Sequence, residues 1–127
     1  MEASPLPELR VELIERLRRA GARFAFLHGS RMTGAARPAS DTDVAAWWGL
    51  NAPAAWDVAL PAGVDLLVLD AAPLELAGRI ALHGVLLFDD DPPARVRWQA
   101  HTRLVYLDEE ERQRRLDRIY RAGRRRG

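Results

Sequence analysis

The residues best suited to chemistry lie in one short stretch: His28-Gly29-Ser30-Arg31-Met32-Thr33-Gly34, then Ser40-Asp41-Thr42-Asp43. Apolar alternation before Gly29 and after Asp41 predicts two strands, and in a strand residues i and i+2 share a face. Asp41 and Asp43 therefore project together. Two carboxylates that close repel each other unless a cation lies between them, and Mg²⁺ takes oxygen ligands together with substrate phosphate oxygens. Gly29 lets the backbone turn sharply near a ligand, and Ser30 is suited to cap a short helix whose N–H groups point at an anion. The chemistry indicated is that of a metal-bound nucleoside triphosphate. Other phosphate loops fit worse: Ala35-Ala36 stands where a Walker loop needs Lys-Ser/Thr, and there is no Gly-x-Gly-x-x-Gly.

The elements that must position these residues alternate along the chain. Leu9, Leu13, Leu17 and Ala20 recur at helical spacing, with Pro7 suited to the first turn and Gly21 to the stop. Strands are expected over Arg23 to His28 and Asp43 to Trp48, then a loop from Asn51 to Gly63 with a short helix around Trp56. Val64 to Leu69 reads as a strand bearing Asp65. Pro73 opens a helix carrying Leu74, Ala77 and Ile80 and closed by Gly84, and Val85 to Phe88 forms a fourth strand. Asp91-Pro92 caps a helix reaching about Ala122, with Val96, Leu104, Leu107, Leu116 and Ile119 as its expected core contacts and a frayed basic tail over residues 123–127. The fold class is α/β or α+β in one domain, residues 1–127.

These motifs resemble the nucleotidyltransferase superfamily with the DNA polymerase β palm, whose signature is Gly-Ser, about ten residues, then Asp-x-Asp. Most similar are the minimal nucleotidyltransferases (MNT), small antitoxin partners of HEPN-domain RNase toxins, with a Gly-Ser-Arg-x-x-Gly opening and a Ser-Asp-x-Asp ending. Val64 to Leu69, a proline-started helix, and His83-Gly84-Val85 to Phe88 followed by aspartates look like that family's second half. The resemblance implies a palm with a mixed sheet of about four strands flanked by helices and a long C-terminal helix. It implies Asp41, Asp43 and Asp65 as a catalytic triad holding two Mg²⁺ ions, with Gly29, Ser30, Arg31 and Ser40 at the nucleotide. Thr33 stands where several members carry a second arginine. Without the family, Asp65 in an aliphatic strand is a costly charge needing a partner or a metal. Asp70 lies five positions on, facing the other side of the strand near the cap of the next helix.

The implied activity is antitoxin AMPylation, the transfer of AMP from ATP to a tyrosine of a HEPN RNase toxin. The alternatives are a binding-only antitoxin and a small-molecule nucleotidyltransferase of the aminoglycoside-modifying type. His28, His83 and His101 form no metal motif; His28 reads as a structural histidine at a strand end, and Arg95 with His101 imitates the HEPN signature in an arginine-rich helix.

Composition narrows the class. The absence of cysteine excludes disulfides and thiolate metal sites, and no apolar run is long enough for a membrane span. The N-terminus lacks the features of a signal peptide, so a cytoplasmic protein is expected. Net charge is only +1, yet the basic residues are all arginine and concentrate between Arg112 and Arg126. Such a tail suits RNA, an acidic protein surface or plain solvation equally.

Overall fold

The structure is a computed structural model, and it describes residues 7–28 and 42–126. Helix α1 (Pro7–Arg19) buries Leu13 and Leu17, one turn apart. It stops at Gly21, whose φ of 100° few side chains tolerate, while the Gly21 and Ala22 N–H groups donate to the Arg18 and Leu17 carbonyls. These two bonds form a Schellman cap. Strands β1 (Phe24–His28), β2 (Thr42–Trp47), β3 (Val64–Val68) and β4 (Val85–Asp89) form one sheet in the order β3-β2-β1-β4. β1 pairs antiparallel with β2 and β4, and β2 pairs parallel with β3. The β2–β3 crossover carries one turn of 3-10 helix at Ala55–Asp57.

Both faces of β1 are apolar because both faces of the sheet are covered. Ala25 and Leu27, with Val44 and Ala46 of β2, pack with Leu13 and Leu17 of α1. On the other face Phe24, Phe26 and Ala45 meet Ile80 of α2 (Leu74–His83) and Trp98 of α3 (Pro92–Arg126). Phe24 stacks on Trp47 at 5.0 Å, and Trp98 lies 5.8 Å from the rings of both Phe24 and Phe26. Truncating either phenylalanine to alanine would cost about 3–5 kcal/mol. α2 and α3 touch closely, since a Cβ on Gly78 would overlap the Tyr106 ring. Gln99 and Arg103 also donate to the last-turn carbonyl of Ala81.

Two expectations about α3 are corrected. Val96, Leu104, Leu107, Leu116 and Ile119 are not core contacts; all are exposed, Leu104 at 70%. The buried stripe is Ala94, Thr102 and Tyr106 with half-buried Trp98, spaced four residues apart. Both stripes have helical periodicity, so periodicity could not choose between them. The aromatic sheet face and Gly78 did, by accepting Trp98 and Tyr106. Nor does the helix end near Ala122: it continues through Arg126, and Gly123 lies within it. Asp91 does cap it, accepting from the Ala94 N–H at 3.2 Å. Among the described residues no helix is long and apolar enough to cross a membrane.

Candidate functional site

β2 and β3 start at the same end of the sheet, and β1 ends there. The antiparallel register sets His28 opposite Asp43, and the parallel register sets Asp43 beside Asp65. Cross-strand neighbours share a face, so His28, Asp43 and Asp65 form a transverse row on the face that carries Phe26, Ala45 and Leu67 one step further in. Burial is deepest at the middle of the row. His28 is half-buried on an inner strand, Asp43 is buried at 8% exposure, and Asp65 is exposed on the edge strand. Neighbouring strands lie roughly 4.8 Å apart, which puts two carboxylates within reach of one cation.

Asp43 and Asp65 therefore come together as expected. Gly29, Ser30, Arg31, Ser40 and Asp41 lie outside the described residues. Among the described residues no three His, Asp or Glu side chains gather as a metal cage; they offer the adjacent Asp43 and Asp65. Oxygen donors in register at a sheet end suit a hard cation such as Mg²⁺, so Asp43 and Asp65 fit that ion. Asp65 makes no ion pair among the described residues, whereas many other acidic groups do. Asp89 pairs with Arg95 at 2.9 Å and Asp91 with Arg23 at 2.8 Å. Arg18 holds Asp90 bidentately at 2.8 and 2.7 Å, and that hydrogen-bonded guanidinium lowers the Asp90 pKa.

Asp70 has a different task from the one its sequence position suggested. It sits in the 3-10 turn Leu69–Ala71 after β3 and accepts from the backbone N–H groups of Trp48 (2.9 Å) and Gly49 (2.6 Å). It closes the turn leaving β2 and does not cap α2, whose N-cap is Pro73.

Sequence reasoning missed two neighbours of the row. His28, a histidine at a strand end as expected, is the cross-strand partner of Asp43, a pairing the sequence did not disclose. Trp56 is 86% exposed and lines an open groove of about 460 Å³ with Asp65, Val58, Leu60, Val64 and Leu66. The available signal was a tryptophan in a loop otherwise rich in proline and alanine. A second groove, of about 420 Å³ between α2 and α3, includes Glu75, Tyr106, Glu110 and Asp117 and none of the row's residues. There desolvation, then the hydrogen bond to Glu110, raises the Tyr106 pKa.

No family model and no curated protein sequence matches this chain. Solved structures do. A toxin–antitoxin crystal structure with AMP-PNP matches at 24% identity and TM-score 0.68, over 87% of this chain and 97% of that one. The toxin–antitoxin MntA-HepT matches at 22% identity and TM-score 0.67, over 90% and 98%. A complex of tri-AMPylated Shewanella oneidensis HEPN toxin with MNT antitoxin matches at 20% identity and TM-score 0.66, over 88% and 96%. At such identities the likeness concerns architecture, and it spans nearly the whole of each chain. Helix α1, the mixed sheet and the two helices on its other face give this chain the fold of the minimal nucleotidyltransferase antitoxins.

Proposed function

We propose that this chain is an antitoxin nucleotidyltransferase that transfers AMP from ATP to a tyrosine of a cognate HEPN RNase toxin. The single observation that carries the reading is the row ending in Asp43 and Asp65, two carboxylates in register on adjacent strands. The Gly29-Ser30 and Asp41-Thr42-Asp43 motifs and the fold shared with MNT antitoxins support it. One similar structure contains AMP-PNP and another a tri-AMPylated toxin, which fits ATP as donor and a HEPN protein as acceptor.

Asp43 and Asp65, with Asp41, would hold Mg²⁺. When bound, the metal neutralises charge on the phosphates and favours ionisation of the attacking hydroxyl. In the transfer, the tyrosine oxygen bonds to the α-phosphorus while the α–β bridging P–O bond breaks, and pyrophosphate leaves. Buried Asp43 is a fixed anchor inside the sheet. Exposed Asp65 faces the acceptor and accepts the hydroxyl proton directly or through water. Ser30 and the amides around Gly29 would hold the terminal phosphates, with Arg31 beside them. AMP on the toxin adds bulk and negative charge where RNA phosphates must bind, which disables the nuclease.

The test is intact-protein mass spectrometry of the HEPN partner incubated with this chain, ATP and Mg²⁺, with RNase activity followed in parallel. The reading expects additions of about 329 Da, one AMP residue, or multiples of it, from a carboxylate-held metal site. It also expects inactivation that outlasts removal of this chain. Neutralisation without added mass, equally good with Asp41→Asn/Asp43→Asn, would instead make the chain a binding-only antitoxin.

A further inference from the structure

Among the described residues β3 is hydrogen-bonded on one side only, to β2, and its other edge is open. The opposite edge of the sheet is blunted. The β1–β4 register is broken by an irregularity at Ala25/Phe26, and Asp89 at the end of β4 is tied to Arg95. Such devices discourage strand addition, and β3 has an open groove instead. On one side of β3 lie half-buried Val64 and Leu66, extended outward by Trp56, Val58 and Leu60 of the crossover. On the other side Asp65 is exposed, the outermost member of the row. A row of unpaired backbone N–H and C=O groups is best satisfied by another extended chain.

We propose that the open edge of β3 receives the acceptor as an extended polypeptide strand, with Trp56 as its apolar anchor. The inference rests on the adenylyl-transfer reading and adds how the acceptor is presented. Side chains along an added strand alternate between the two faces. One set enters the apolar groove against Val64, Leu66 and Trp56, and the other stands beside Asp65. The acceptor tyrosine belongs to the second set, so its hydroxyl arrives next to the carboxylate that takes its proton. Specificity then comes from alternation, apolar residues flanking the tyrosine, more than from a particular sequence. Trp56 fits this role because a nearly fully exposed indole offers a large contact area with little side-chain freedom to lose.

The test uses the full chain and two peptides of about nine residues, long enough to run the length of β3 at roughly 3.3 Å per residue. Both alternate valine and lysine; in one the central tyrosine replaces a lysine, in the other a valine. Binding is read from the backbone amide resonances of Val64, Asp65 and Leu66, and AMP addition from peptide mass with ATP and Mg²⁺. Both peptides should shift those amides, Trp56→Ala should weaken binding about tenfold, and the lysine-row tyrosine should gain AMP at least tenfold faster. Unmoved β3 amides, equal rates for the two phases, or unchanged affinity in Trp56→Ala would each overturn the proposal. Shifted amides and an intact Trp56 effect with neither peptide modified would uphold the docking and sink the adenylyl-transfer reading instead.

Discussion

Asp43 and Asp65 stand side by side in one register, yet one lies inside the sheet and the other at its rim. The inner carboxylate sits on a strand paired on both sides and is shielded from water, which suits the anchoring role proposed for it. The edge carboxylate is open to whatever approaches, which suits a group that must meet a second substrate. Asp70, five residues further, completes the contrast: each of its carboxylate oxygens accepts from a backbone N–H, of Trp48 and of Gly49, and so ties the turn after β2. On the proposed reading, these three aspartates would divide into anchor, acceptor-side group and turn-former.

Substitutions can break this division, beginning with the largest expected effect. Asp41→Asn/Asp43→Asn should abolish Mg²⁺-dependent ATP binding by calorimetry and reduce transfer by about 10³-fold or more, since it removes the anchoring charge. Equal ATP affinity in the variant, or in wild type with chelator, would deny Asp43 its role. Asp65→Asn should leave most ATP binding and the melting temperature in place while slowing transfer by roughly 10²-fold, the behaviour of a group whose interaction strengthens in the transition state. Full activity in that variant would make the rim position incidental.

Asp70→Ala should do the reverse. It orphans two backbone donors at a cost of about 1–3 kcal/mol, visible in chemical denaturation, while transfer per folded molecule stays at wild-type level. Gly78→Ala tests the packing of α2 on α3. Its methyl must displace Tyr106, for a loss of about 1–3 kcal/mol, and a variant as stable as wild type would refute the close α2–α3 contact. The smallest effect belongs to the surface pair. The Asp90 pKa is lowered in the folded state by Arg18, so its stabilisation is present above the ordinary carboxylate range, about 3.9, and fades as pH falls through the lower folded value. Arg18→Ala should remove that small acid-side slope by slightly lowering stability at neutral pH, while stability below the folded Asp90 pKa stays nearly unchanged.

The same contrast between inner and outer positions explains what the sequence disclosed. Leu13, Leu17, Gly21 and Pro7 announced α1 because spacing and stop signals agree there. β1 to β4 were legible from aliphatic runs bounded by glycine, proline and aspartate, each within a residue of its observed bounds. The choice of Asp65 followed from family resemblance, and the parallel pairing of β2 and β3 gives it a physical basis the sequence alone lacked. α3 was legible as a helix and illegible in rotation: Leu104 and Leu107 look like core, yet Trp98 and Tyr106 fill the space the sheet and α2 leave open. Local periodicity ranks apolar residues; only the partner surface says which shapes fit. Asp70 was misassigned for a related reason, since its partners, the Trp48 and Gly49 N–H groups, are over twenty residues away in sequence.

The central claim, that the row across β2 and β3 is where the reaction takes place, is tested most directly by crystals grown with a non-hydrolysable ATP analogue and Mn²⁺ in place of Mg²⁺. Anomalous scattering then marks the metal. The expected result is a metal peak at the Asp43 and Asp65 carboxylates beside the bound nucleotide, lost in Asp43→Asn. Nucleotide bound with no metal at the row, or with the metal in the α2–α3 groove, would contradict it.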